Sequence, residues 1–260
     1  MLSRLEDHLR TMGVATPKWA AILGSGIGPL VDRFSIRARI PYRDVVGLRP
    51  SSVAGHASEV VVGEDDDGRT VLAFAGQRHY YEGDLDAWLY APIDAMRGVG
   101  VERVLIVSAI GGIHHDERPG DVILVDDIVD LMFRRPAAIP AWPSDVTSRP
   151  VCEPALMRSA VDWCVANRVR HRVGTLACMT GPTYETPAEI AMLRFADCAG
   201  VTMSMAPEVQ AARVRGLSPF GVGIVANVHG TGPVTHEEVL DAVASGARAA
   251  GGLWEHLLTQ

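Results

Sequence analysis

Strand-length apolar runs alternate with helix-period segments along most of the chain, and this alternation restricts the fold more than any other feature. Runs at residues 19–23, 59–63, 70–75, 101–109, 121–129, 173–179 and 220–226 have the length and apolar content of strands. Segments 85–97, 155–167, 187–196, 207–216 and 235–258 carry helical patterns, the last interrupted by Gly246, Gly251 and Gly252. Leu2, Leu5, Leu9 and Met12 at helical spacing predict a short amphipathic helix at the start. Interleaving of this kind predicts an α/β fold: one domain over residues 1–260, with a twisted mixed, mainly parallel sheet flanked by helices. Residues 136–154 hold five prolines and read as a loop.

Bulk properties narrow the function. The net charge of −7 argues against a broad nucleic-acid footprint, which needs a basic face. Arg4, Glu6, Asp7 and Arg10 break up the apolar start that a secretory signal requires, and no uncharged apolar run has the length of a membrane span. Cys152, Cys164, Cys178 and Cys198 form no CxxC pair, which suits reduced thiols. A soluble, cytoplasmic protein without metal is expected. Glu64-Asp65-Asp66-Asp67-Gly68 reads as a solvated hairpin turn, since flanking metal ligands are lacking.

Several strand ends combine glycine with polar residues, and ligands of α/β folds sit at the carboxyl ends of strands. The run 19–23 leads into Gly24-Ser25-Gly26-Ile27-Gly28, where backbone N–H groups can approach an anion. Alone, three glycines in five residues are more often just a tight turn. Gly55-His56-Ala57, residues 76–83, 108–112, 181–186 and 201–208, and Asn227 with His236 join it as candidate segments.

In order and spacing these segments resemble the trimeric purine nucleoside phosphorylases, a family with methylthioadenosine phosphorylase-like relatives. Gly181-Pro182-Thr183-Tyr184-Glu185-Thr186 is similar to the family's Gly-Pro-Ser/Thr-Phe/Tyr-Glu-Thr motif. Met203-Ser204-Met205-Ala206-Pro207-Glu208-Val209 resembles its Met-Ser-x-x-Pro-Glu-Val segment. His79-Tyr80-Tyr81-Glu82-Gly83 and His236-Glu237-Glu238-Val239-Leu240 complete the set. The resemblance implies phosphorolysis of a purine nucleoside, mainly a 6-oxopurine, to free base and pentose 1-phosphate. Inorganic phosphate would be the co-substrate, no cofactor would be needed, and the assembly would be a homotrimer.

Such a reaction must hold an anionic nucleophile, fix a sugar with oxocarbenium character and stabilise a departing base. The resemblance assigns phosphate to Ser25, His56, His79, Ala109 through its backbone, and Ser204. It assigns the base to Tyr184, Glu185 and Asn227, and ribose to Tyr81, Met203 and His236. Asn227, Glu185 and His79 are the expected catalytic residues. A carboxylate at 185 can accept from the ring N–H of a 6-oxopurine, and an amide at 227 can donate to charge growing on the leaving base. Taken singly, Ser204 also suits a helix N-cap, Glu185 a helix N-terminus and Met203 plain core.

The sequence departs from the family at Gly76-Gln77-Arg78-His79, where Gly-Arg-x-His is usual. Either Gln77 or Arg78 then serves the phosphate; Arg78 is the cation available, provided the backbone lets it reach the pocket. Phe133 and Trp142 both compete for the place of the aromatic that a neighbouring subunit lends to ribose. The family's lysine after the asparagine is missing from Val228-His229-Gly230. Two alternatives stand beside phosphorolysis: a hydrolytic N-glycosidase, motivated by Gln77, and a catalytically silent nucleoside-binding protein.

Overall fold

A computed structural model describes residues 4–53, 55–83, 86–132, 150–230 and 236–260, with backbone alone at 86–87 and 236–242. The expectations for Phe133 and Trp142, and for the side chain of His236, lie outside the described residues.

Among the described residues nine strands, β1 (Trp19–Leu23), β2 (Ser35–Pro41), β3 (Glu59–Glu64), β4 (Thr70–Ala75), β5 (Arg103–Gly112), β6 (Val122–Asp130), β7 (His171–Cys178), β8 (Cys198–Thr202) and β9 (Ser218–Val228), form one mixed sheet. Its order is β2-β3-β4-β1-β5-β8-β7-β6-β9, and β9 returns to pair with β5. Strands β5, β8, β7, β6 and β9 therefore close a ring, while β2, β3, β4 and β1 form an open wing. The β1–β4, β1–β5, β5–β9, β6–β7 and β7–β8 pairings are parallel. The β2–β3, β3–β4, β5–β8 and β6–β9 pairings are antiparallel. The architecture is the expected α/β arrangement of helices on a mixed sheet.

Both faces of the sheet are covered, which explains why β1 is apolar throughout. Ala20 and Ile22 join one core with Leu5 and Leu9 of α1 (Leu5–Thr11), Tyr90 and Ile93 of α2 (Asp86–Gly98) and Val209 of α5 (Ala206–Val214). Trp19, Ala21 and Leu23 point the other way, toward Leu156 of α3 (Pro154–Ala166) and Trp254 of α6 (His236–Leu257). A smaller cluster seats α4 (Pro187–Phe195), through Ile190 and Leu193, on Cys198 and Val201 of β8. Strands β1, β3, β4, β5 and β6 thus spend alternate residues on the two cores.

Two strands were not expected. In β2, Ile36, Ala38 and Ile40 alternate with exposed Arg37 and Arg39, whose ion pairs to Glu64 (3.0 Å) and Glu59 (2.5 Å) suit a polar edge. In β8, five small or branched buried residues form a run too short to stand out. The expected interruption of the last helix is corrected. Helix α6 runs unbroken, because Gly246 lets Ile224 pack against the helix backbone; a Cβ there would meet Ile224 Cγ2 at 2.3 Å. The acidic hairpin is held by Asp65, which accepts from the N–H groups of Asp67 and Arg69 and pairs with the Arg69 guanidinium. No described helix is long and apolar enough to cross a membrane.

Candidate active site

A cavity of about 660 Å³ opens where β1, β4, β5, β8 and β9 present their carboxyl-terminal halves. The parallel alignment of β4, β1, β5 and β9 brings Ser25, Gln77, His79, Ala109 and Asn227 to one wall-and-floor surface. Register places Asn227 opposite Gly111. The loop after β7 supplies Tyr184 and Glu185, and the segment after β8 supplies Met203 and Ser204. Of the sequence-based candidates, Ser25, His79, Tyr81, Ala109, Tyr184, Glu185, Met203, Ser204 and Asn227 all line this cavity.

The end bearing Ser25 is rich in donors. The Gln77 N–H donates to His56 Nδ1 at 3.0 Å, so the neutral imidazole carries its proton on Nε2. That Nε2–H donates to Ser25 Oγ at 2.9 Å, leaving the Ser25 hydroxyl proton free to turn toward the cavity. His56 itself stands behind Ser25 rather than at the wall. Burial and the neighbouring His79 hold the His56 imidazole down at about 4, against the pull of Glu82. Burial lowers His79 as well. Its ring stacks on Tyr81 at 4.9 Å, and its N–H donates to Glu82 Oε1 at 2.7 Å. Burial pushes the Glu82 carboxyl up, but the N–H groups of Ser52 and His79, the Ser52 hydroxyl and Arg78 outweigh it and hold it at about 2.

Ser204 belongs to a buried hydroxyl chain. It donates to Ser108 Oγ at 3.1 Å, and Thr202 Oγ1 lies 3.1 Å from Ser204 Oγ. The backbone beyond it is strained. Met205 has φ 73° and ψ −49°, and the Ala206 N–H donates to Ser204 O at 2.9 Å, which closes a γ-turn of the rare, strained kind. Met205, not Ser204, is the N-cap of α5, and its side chain makes no cap bond. The Ser204 hydroxyl is therefore spent on Ser108 and the cavity, beside the positive end of a helix dipole.

The structure does not bring Arg78 to the cavity. Its guanidinium donates to the Pro50 carbonyl and lies 3.7 Å from Glu82, while Gln77 faces inward. The one-residue offset from the family pattern carries the cation out of the site, as a single step along extended backbone does. Gln77 Nε2 donates instead to Glu208 Oε1 at 2.7 Å. Burial raises the Glu208 carboxyl to about 7, and the Gln77 bond only partly offsets that rise. Among the described residues lining the cavity none is Lys or Arg.

At the other end, Thr186 and Glu189 share the capping of α4. Glu189 Oε2 accepts from the Thr186 N–H at 2.7 Å, and the Thr186 hydroxyl accepts from the Glu189 N–H at 3.3 Å. Glu185 is thereby released from the helix-end role that the sequence allowed it. Its side chain is 3% exposed and lies 3.5 Å from His229 Nε2. Tyr184 stands at the mouth, 76% exposed. Sequence reasoning missed the partnership of Gln77 with Glu208, and missed Ser108, Thr202 and His229 as wall residues. The sequence signal for His229 was only its nearness to Asn227.

A mixed sheet whose cleft gathers anion-suited donors together with a carboxylate and an amide suits a nucleoside-cleaving α/β enzyme. Residues 20–259 match the phosphorylase superfamily. The chain is 35% identical to purine nucleoside phosphorylase 1 of Geobacillus stearothermophilus, over 92% of this chain and 90% of that protein. It is 30% identical to the Bos taurus purine nucleoside phosphorylase, over 87% and 83% of the two chains. The solved structure of Schistosoma mansoni purine nucleoside phosphorylase in complex with inosine superposes with TM-score 0.82 at 26% identity, covering 100% of this chain and 97% of that one. The same enzyme in complex with adenosine gives TM-score 0.82 and 26% identity, over 100% and 98%. The chain belongs to the purine nucleoside phosphorylase family of the phosphorylase superfamily.

Proposed function

We propose that this enzyme cleaves 6-oxopurine nucleosides by phosphorolysis, as a cytoplasmic homotrimer whose subunit is one domain. The observation that carries this reading is one cavity lined both by a donor group, Ser25, His79, Ala109 and Ser204, and by a carboxylate with an amide, Glu185 and Asn227. Phosphate held by the hydroxyls, His79 and the Ala109 N–H attacks the anomeric carbon. The bond to the purine breaks as the bond to phosphate forms, and its electron pair leaves with the base. Glu185 accepts from the ring N–H, and Asn227 donates to the negative charge that grows on the ring. Tyr81 and Met203 flank the sugar, and His236 is assigned to its 5′-hydroxyl. The products are free base and pentose 1-phosphate, with no cofactor consumed. Relatives crystallised with inosine and with adenosine support a purine nucleoside in such a cavity.

A second reading is hydrolysis, favoured by Gln77 and the outward Arg78, which leave the anion end without a cation among the described wall residues. Product analysis with and without phosphate separates the two. Ribose 1-phosphate formed only with phosphate is the expected result. Free ribose released at an equal rate in phosphate-free buffer would establish hydrolysis instead.

A further inference from the structure

We propose that His229 reads the six-position of the bound purine. Its Nε2–H donates to the 6-oxo oxygen while Glu185 accepts from the adjacent ring N–H, so His229 is a specificity-determining residue outside the four family motifs. The proposal rests on the reading of Glu185 as the base end of the cavity.

Four observations carry it. His229 lines the same cavity as Glu185 and Asn227. Its Nε2 is buried yet has no hydrogen-bond partner, a costly state for a polar atom unless a ligand completes it. Its distance to Glu185 Oε2, 3.5 Å, is long for a bond between the two but suits two groups that grip neighbouring polar atoms of one ring edge. The imidazole is also held in place. The His229 backbone N–H donates to Gly112 O at 2.9 Å and fixes where the side chain leaves the backbone, and Gly111 lies so close beneath the ring that a Cβ there would meet Nε2 at 2.9 Å.

The chemistry of the pair selects the base. A carboxylate only accepts, whereas an imidazole can donate from Nε2. One acceptor beside one donor matches a 6-oxopurine, which presents a ring N–H beside a carbonyl oxygen. Adenine presents a bare ring nitrogen to Glu185 and an amino group to His229, so acceptor meets acceptor and donor meets donor. Mismatch of buried polar groups is a strong basis for rejection.

Calorimetric binding of two free bases to the full chain tests the proposal. Hypoxanthine carries the 6-oxo oxygen; its 6-thione analogue keeps the ring N–H but offers a weakly accepting sulfur. His229→Ala is expected to weaken hypoxanthine binding about tenfold and the thione less than about threefold, the size of one hydrogen bond. His229→Gln, whose amide also donates, is expected to keep most of the hypoxanthine affinity. Equal weakening of both bases by His229→Ala in a chain with wild-type melting, or no weakening, overturns the proposal. If His229→Ala melts early, His229→Gln decides, and loss of its preference for hypoxanthine over the thione overturns it. Wild-type protein that binds neither base overturns the reading of Glu185 and this proposal together. Binding by wild type with an unchanged His229→Ala overturns this proposal alone.

Discussion

Gln77 Nε2 and Glu208 Oε1 lie 2.7 Å apart, a buried pair from the end of β4 and the first turn of α5. The family pattern places an arginine at the position of Gln77. A carboxylate beside a guanidinium would stay ionised; beside an amide, buried Glu208 is pushed up to about 7. The substitution therefore changes two groups at once. It removes a cation from the phosphate side of the cavity and leaves its buried neighbour about half protonated near pH 7.

Restoring the cation should restore phosphate affinity. Gln77→Arg is expected to lower the KM for phosphate about tenfold, since a hydrogen bond to a charged group contributes about 1.5–3 kcal/mol. Arg78→Ala should leave that KM within about twofold, because Arg78 is turned toward Pro50 and Glu82. Initial rates against phosphate concentration decide the matter. A large effect of Arg78→Ala with none from Gln77→Arg would reverse the assignment.

Glu208 also makes stability depend on pH. Its folded value lies above that of the free carboxyl, so between about 4.5 and 7 the native state keeps a proton that the unfolded chain has released. That contribution is fully present below the lower value and is lost as pH rises through the upper one. Glu208→Gln, which mimics the protonated acid, should melt like wild type at pH 5 and a few degrees higher at pH 8. Thermal melts at the two pH values test this; a variant that loses stability equally at both shows that Glu208 is not protonated in the fold.

The alternation of strands and helices, and the gathering of glycine-flanked polar residues at strand ends, were legible in the sequence because each is local and periodic. Ser25 after β1 and Asn227 in β9 illustrate this, as their neighbours in sequence announce the strands that carry them. Strand β8 was hidden because Cys198, Ala199 and Gly200 carry little β signal, and their burial comes from partners far along the chain. Whether Gln77 or Arg78 faced inward was a question of one backbone step, which depends on the loop after β4 rather than on either residue. The partnership of Glu208 with Gln77 spans 131 positions and leaves no local mark. Met205 reads as core from its apolar side chain, and only its φ of 73° discloses the turn that holds Ser204.

His56 titrates against the direction of Glu208. Its value is lowered to about 4 from the ordinary 6.5, so between these values the unfolded chain binds the proton and the native state does not. Stability contributed by neutral His56 is present above about 6.5 and is lost as pH falls toward 4. His56→Ala should therefore lose less stability than wild type on going from pH 7 to pH 4.5. At pH 7.5 it should raise the KM for phosphate severalfold, because Ser25 loses the donor that orients its hydroxyl. Its affinity for free hypoxanthine should not change. Equal loss of phosphate and base binding would point to general disruption rather than a positioning role.

Glu185 gives the sharpest test of base recognition, because its structural alternative can be removed separately. Thr186 and Glu189 cap α4 without it, so Thr186→Ala should cost about 1 kcal/mol of stability. Glu185→Gln should cost little stability and should leave α4 intact. Its effect belongs to catalysis. On the proposed reading the carboxylate accepts from the ring N–H of a 6-oxopurine, and exchange for an amide can turn a donor toward that N–H. The expected loss of kcat/KM with inosine is at least about 100-fold, in line with leaving a buried donor unmatched. With adenosine, whose ring nitrogen accepts, the amide should hold or raise kcat/KM, so that the preference between the two nucleosides narrows or inverts. Steady-state kinetics on both nucleosides at saturating phosphate provide the ratio. If both rates fall together while α4 remains folded, Glu185 supports the site in another way and the base is read elsewhere.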